Sequence, residues 1–347
     1  MKMKNIFHID GSQGEGGGQI VRTALALAAL LQKDVKISNI RANRKRPGLR
    51  PQHLVAVRAL SEITQAETEG AHENSRQLFF APRSIKRGDY RFVIKTAGST
   101  SLVLMAILPP LLFAKGPSRI TIEGGTHVPF SPPYHYLEAV FCPALLAMGG
   151  RVEIGLEKWG MYPEGGGAVN IRISPCQGLR AVQLTGRGRL LNLELLVALA
   201  NLPLHIARRE REQVEKIMGK NGFEVKSGFV SVSSPGRGNV VFLKGVFERT
   251  AAGFSALGRK GKPAEKVAEE VCREWLAFIH TEAAIDPHLA DQLLVYMALA
   301  KGKSALRTTG MTSHLLTNIG IIERFLPVHF DLDPEKGLVE VNGVGYL

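Results

Sequence analysis

In the stretch Thr312-Ser313-His314-Leu315-Leu316-Thr317-Asn318, a histidine follows two residues of the kind that cap helix starts. Leu315, Leu316, Ile319, Ile322 and Phe325 continue with the spacing of an amphipathic helix. A helix start carries unpaired N–H groups and partial positive charge. The imidazole of His314 is therefore favoured in its neutral, nucleophilic form, beside a place that welcomes a phosphate oxygen. The same seven residues also suit a histidine that merely packs or hydrogen-bonds near a cap, so its partners matter.

Gly11-Ser12-Gln13-Gly14-Glu15-Gly16-Gly17-Gly18-Gln19 interrupts a short strand-like run over 5–10, and helical spacing begins at Ile20. A strand, a glycine turn and a helix make a backbone cradle for phosphate, or simply a tight turn. The run lacks the Lys-Ser/Thr ending of a Walker A loop and the spacing of a dinucleotide fingerprint. Glu15 is informative because a carboxylate in a phosphate cradle repels its ligand unless a metal such as magnesium stands between them. Arg41, Arg44, Lys45, Arg46 and Arg50 crowd a second stretch, which Pro47-Gly48 and Pro51 keep out of regular structure before a helix over 52–63. Such a loop grips a polyanion without reading bases; a localisation signal or a solvated loop is the alternative. His288-Leu289-Ala290-Asp291-Gln292 opens a later helix, where Asp291 and Gln292 either meet ribose hydroxyls and base edges or complete a first turn.

These residues must be positioned by an α/β chain. Strands are predicted over 77–80, 90–95, 120–123, 151–156 and 169–173, with helices over 97–114, broken by Pro109-Pro110, and 132–148. Glu164-Gly165-Gly166-Gly167 echoes the glycine run at Glu15, and strand-turn-helix units recur, so the reading is an internal repeat of a small α/β unit. After residue 185 the character changes. A strand-like run over 190–202, a charged helix over 204–218, strands near 224–231, 239–247 and 250–255, and a helix ending at 279 form a candidate small inserted domain. The expected organisation is a body of 1–184 and 280–347 with an insert over 185–279, whose charges read as a solvated face.

Lysine and arginine exceed aspartate and glutamate by 13, which points to an anionic partner. Cys142, Cys176 and Cys272 are far apart and odd in number, which argues against a disulfide framework or zinc site. Met1-Lys2-Met3-Lys4 leads into a strand rather than a leader, and the apolar run Ala24 to Leu31 is too short to span a bilayer. The expectation is a cytoplasmic protein with no membrane partner.

Gly14-Glu15-Gly16-Gly17-Gly18-Gln19, Arg46-Pro47-Gly48-Leu49-Arg50-Pro51-Gln52-His53, Tyr162-Pro163-Glu164-Gly165-Gly166-Gly167, His288-Leu289-Ala290-Asp291-Gln292 and His314-Leu315-Leu316-Thr317-Asn318, in that order, resemble the RNA 3'-terminal phosphate cyclase family. The resemblance runs nearly end to end. It implies a large domain of repeated α/β units similar to enolpyruvyl transferases, with a smaller inserted α/β domain. It also implies an enzyme that uses ATP with Mg2+ (or Mn2+) to turn an RNA 3'-phosphate into a 2',3'-cyclic phosphate, releasing AMP and pyrophosphate. His314 would take AMP on an imidazole nitrogen, and Glu15 would help hold the metal. Arg22, Arg41, Arg44, Gln52 and His53 would border the triphosphate, and His288, Leu289, Ala290, Asp291 and Gln292 the nucleoside. Arg46 and Arg50 would grip the RNA 3'-phosphate end. Met105 stands where the family often has glutamine, His288 where tyrosine is common, and Trp159 where a basic residue is usual. Relatives that act as binding factors in ribosome assembly lack the histidine, so its presence favours the enzyme. The oligomeric state stays open, with a homodimer one option.

Overall fold

The computed structural model describes residues 6–347; the start of the strand expected at 5–10, and the Met1–Lys4 reading, lie outside the described residues. The first unit runs β1 (Phe7–Asp10), α1 (Gly18–Leu31), β2 (Val35–Ser38), α2 (Pro51–Thr64), β3 (Glu67–Glu69) and β4 (Leu78–Ala81). Its sheet order is β1-β2-β4-β3, with β1 and β2 parallel and the other pairs antiparallel. Parallel neighbours need a crossover, which α1 supplies. The second unit repeats the pattern with β5 (Asp89–Val93), α3 (Thr100–Leu112) and β6 (Ser118–Gly124). A helical rod comes next, made of α4 (Tyr134–Tyr136), a π turn (Leu137–Phe141) and α5 (Cys142–Ala147), then β7 (Val152–Lys158) and β8 (Gly167–Ile173). Its order is β5-β6-β8-β7.

A third unit opens with β9 (Gln183–Leu184), and the chain then builds β10 (Leu190–Ala200), α6 (Leu204–Lys220), β11 (Lys226–Val232), β12 (Gly238–Phe247), β13 (Ala251–Leu257) and α7 (Ala264–Ile279). These strands form a sheet of their own, β11-β10-β12-β13. The third unit resumes with α8 (Pro287–Leu299), β14 (Lys301–Arg307), α9 (Ser313–Phe325), β15 (Phe330–Asp333) and β16 (Leu338–Val344). The order β9-β14-β16-β15 matches the other two. The repeat read from the sequence is therefore present as βαβαββ, but its correspondences differ from the expected ones. The turn at Glu164 joins the antiparallel hairpin β7–β8, whereas the turn at Glu15 leads from a strand into a helix.

The three units share one core, because α1 and α3 are apolar on nearly every side. Such helices must sit inside, among other helices. Leu25 has no exposure, and its truncation to Ala would cost about 2–5 kcal/mol. Burial also explains why α3 is not broken at Pro109-Pro110 as expected. Both prolines are buried among Leu108, Leu111 and Leu112, and packing holds the helix through the ladder donors they remove. The β10–α7 segment has a separate core around fully buried Trp275. Among the described residues no helix is long and apolar enough to cross a membrane.

Candidate active site

The starts of α1, α2, α3, α8 and α9 meet, and the glycine turn before α1 runs between two of them. Gly14 and Gly16 have φ of +53° and +60°, which disfavours a side chain at either position. A Cβ on Gly14 would strike Thr317 Oγ1 on α9, and one on Gly18 would strike His53 Nε2 on α2. Thr317 Oγ1 accepts from the Glu15 N–H at 3.0 Å and donates to Ser313 O at 2.6 Å. The turn is thereby fixed to the helix that carries the histidine. α1 begins with no capping side chain and no acidic residue in its first turn, so its amide groups are open to an anion.

On α9, Thr312 Oγ1 caps the helix by accepting from Leu315 N at 3.1 Å. His314 is half-exposed, and its Nδ1 lies 2.5 Å from Gln19 Oε1 and 2.6 Å from Glu15 Oε2. Gln19 gives its amide N–H to Asp291 Oδ1 at 2.5 Å, so its oxygen is the atom that faces the imidazole. Asn318 Nδ2 donates to both the main-chain oxygen and Oδ1 of Asp291, at 3.1 and 3.2 Å, and Thr23 Oγ1 donates to Asn318 Oδ1 at 2.7 Å. This network assigns the proton to Nδ1 of His314 and leaves the lone pair on Nε2. Burial holds the His314 pKa below its ordinary value. Asp291 opposes that shift, and Arg22, Arg44 and His288 add to it. Burial raises Asp291 above the usual carboxylate range and brings Arg22 down to about 10, which leaves Arg22 a cation at neutral pH.

Glu15 is paired with Arg44 through one carboxylate oxygen. The other, Oε2, is buried 2.6 Å from His314 Nδ1, but the single Nδ1 proton faces Gln19, and Oε2 accepts no hydrogen bond. An orphaned anionic oxygen beside an open helix start fits a divalent cation. No group of three or more acidic, histidine or cysteine ligands exists among the described residues. Glu15 could thus offer one oxygen to magnesium or manganese, the rest coming from phosphate and water, which is how magnesium usually binds.

The other expected residues divide. His53 is buried, and its Nδ1 accepts from Arg50 N at 3.1 Å, so Nε2 presents its N–H toward Gly18. Burial, with Arg22, Arg41 and Arg50 nearby, keeps it neutral well below the usual imidazole range. Gln52 Oε1 accepts from Ser99 N at 3.0 Å, joining the starts of α2 and α3. Arg41 is bound to the loop carbonyls of Arg46 and Gly48, and Arg50 to Asn74 and Glu73. The basic loop is therefore partly occupied in holding its own shape, and Arg44, Lys45 and Arg46 are its exposed cations. At α8, Asp286 caps His288 and Leu289. Leu289 and Ala290 are 2% and 0% exposed. Their side chains are core, so a nucleoside contact from these two would have to come from the main chain. His288, Asp291 and Gln292 remain partly accessible, and Gln292 Oε1 is another buried orphan. Trp159 stacks on buried His127 at 4.4 Å.

Sequence reading passed over Gln19, Thr317 and Asn318 as site residues. A signal existed for two of them: Thr317 and Asn318 lie three and four residues after His314, on its helix face.

A sequence model of the RNA 3'-terminal phosphate cyclase family matches residues 13–332. The chain is similar to an RNA 3'-terminal phosphate cyclase of Pyrobaculum neutrophilum, 44% identical over 97% of this chain and 99% of that protein. It is also similar to one of Ralstonia nicotianae, 44% identical over 94% of both. Among solved structures, EPSP synthase from Acinetobacter baumannii covers 97% of this chain and 65% of its own, at 14% identity and a TM-score of 0.35.

Proposed function

The chain belongs to the RNA 3'-terminal phosphate cyclase family, and from that premise we propose that it converts an RNA 3'-phosphate into a 2',3'-cyclic phosphodiester with consumption of ATP. The observation that carries the reading is the hydrogen bond of His314 Nδ1 to Gln19 Oε1, with Glu15 Oε2 2.6 Å away. Nε2 is the nucleophile. It attacks the α-phosphorus of ATP and forms an N–P bond as diphosphate leaves, and Nδ1 keeps its proton against the acceptors beside it. The resulting imidazolium-like adduct is a good leaving group. An oxygen of the RNA 3'-phosphate attacks the same phosphorus and the N–P bond breaks, giving an RNA-adenylate with neutral His314. The terminal 2'-hydroxyl, held next to the activated phosphorus, then loses its proton, closes the five-membered ring and expels AMP.

In this scheme Glu15 would help hold magnesium or manganese, which when bound would neutralise triphosphate charge. Arg22, Arg44 and the α1 amides stabilise phosphate oxygens, with the His53 Nε2–H beside them. His288, Asp291 and Gln292 border the nucleoside. Exposed Arg46 would meet the RNA end, with Arg41 and Arg50 shaping the loop that carries it. Residues 185–279 would act as an inserted domain on a catalytic body of 1–184 and 280–347, in a cytoplasmic enzyme. The test is an RNA ending in 3'-phosphate, incubated with protein and ATP. It should become phosphatase-resistant only when its terminal 2'-hydroxyl is present; equal conversion of a 2'-deoxy end would rule out cyclisation.

A further inference from the structure

The far ends of β10 and β13 and the near end of β12 lie together, since Ala200 pairs with Gly238 and Val240 with Leu257. Asn201 ties this end by donating to the carbonyls of Ser234 and Gly236 at 2.8 and 3.0 Å. The first turns of α6 begin here too, right after Asn201. Arg208, Arg237, Arg259 and Lys260 are all exposed at this end, and among the described residues none of them forms an ion pair. Their neighbours Arg209 and Lys262 are already neutralised, by Glu265 and Glu270. Glu164 is the acidic group facing this end across Gly236.

This cationic end abuts the second glycine turn. Met161 N donates to Ser234 Oγ at 3.4 Å, and Pro235 packs at Gly166. The turn in turn touches the start of α3, where Gly165 meets Ala97, and Gly98 meets Gln52 of the basic loop's helix. A continuous path thus runs from the α1–α9 site to the basic end of the β10–α7 segment. Tyr162 stands on it with 58% exposure. Unneutralised cations beside an exposed aromatic ring are the pattern that holds a single strand by its phosphates and one base face, without reading sequence.

We propose that this end of the segment is an RNA-binding surface, on which Arg208, Arg237, Arg259 and Lys260 hold phosphates upstream of the reacting 3' end and Tyr162 stacks on a base. The proposal rests on the reading that RNA 3' ends are the substrate. The test compares the wild-type chain with the triple variant Arg237→Gln, Arg259→Gln, Lys260→Gln. A second triple variant, Lys216→Gln, Lys220→Gln, Lys226→Gln, removes the same charge from the opposite end of the segment. The probes are a dinucleotide and a longer oligonucleotide with the same 3'-phosphorylated end, made 2'-deoxy at the last residue so that binding is read without turnover. For the longer probe the first variant should bind about tenfold more weakly, with the slope of log affinity against log salt reduced by about 2. The dinucleotide should bind both variants as it binds wild type, and the opposite-end variant should match wild type on both probes. Equal weakening by the two triple variants would mean that net charge alone acts, and an unchanged salt slope in the first variant would mean that no phosphates are held there; either overturns the proposal. Failure of the underlying reading is separable: no 2'-hydroxyl-containing 3'-phosphate RNA of any length would be cyclised by the wild type.

Discussion

The chain carries Glu-Gly-Gly-Gly twice, and the two copies do different things. At Glu15 the turn feeds α1, its carboxylate is 12% exposed, and it is bracketed by Arg44 and His314. At Glu164 the turn closes the β7–β8 hairpin, and the carboxylate is exposed beside Gly236. The glycines are needed in both, by positive φ at Gly14 and Gly16 in one and at Gly165 and Gly166 in the other. The element after each turn decides the chemistry. A helix start supplies free amides and a favourable dipole for an anion, whereas a hairpin engages its amides with the neighbouring strand.

The largest contrast should come from the carboxylates. Glu15→Ala should slow transfer of AMP from ATP on the order of 10²-fold, while Glu164→Ala should change it by no more than about twofold. Similar losses in both, read from initial rates of labelling with ATP, would erase the distinction. A smaller contrast lies in the glycines. Gly14→Ala forces a Cβ into Thr317 Oγ1 and breaks the bond to Glu15 N, at about 1–3 kcal/mol of stability. Gly166→Ala meets only Pro235 at 3.0 Å and should cost about 1–2 kcal/mol for its positive φ. Thermal unfolding that ranks them the other way would show that Thr317 does not organise the first turn. The most modest effect is on pH. Because burial and nearby cations lower the His314 pKa, the imidazole binds its inhibitory proton only below its ordinary value near 6.5. The labelling rate should therefore hold as pH falls to that value and decline only below it. Asp291→Asn, which removes the opposing anion, should move the decline to still lower pH; a decline at or above 6.5 in the wild type would contradict the assigned environment.

Much of the fold was legible because apolar spacing is local. The helices at Ile20, Gln52 and Leu315 can be read from it, and so can the strands between them. Pro109-Pro110 misled because the packing that holds α3 through two prolines comes from distant helices. The echo at Glu164 misled because letters do not say whether a helix or a strand comes next. At the site, contiguous motifs were readable but their faces were not. A helix repeats every 3.6 residues, so the run from His288 to Gln292 cannot turn every side chain to one ligand, and Leu289 and Ala290 face the core. Gln19 and Asp291 are 272 residues apart, and only the folded chain brings them into the bond that orients His314.

The central claim is that His314 carries AMP on Nε2, with Nδ1 held by Gln19. It is tested by incubating the purified protein with ATP labelled at the α-phosphate and isolating the denatured chain. The wild type should retain an acid-labile, alkali-stable AMP adduct, and folded His314→Ala should retain none; an adduct of the same amount and stability in His314→Ala would contradict the account.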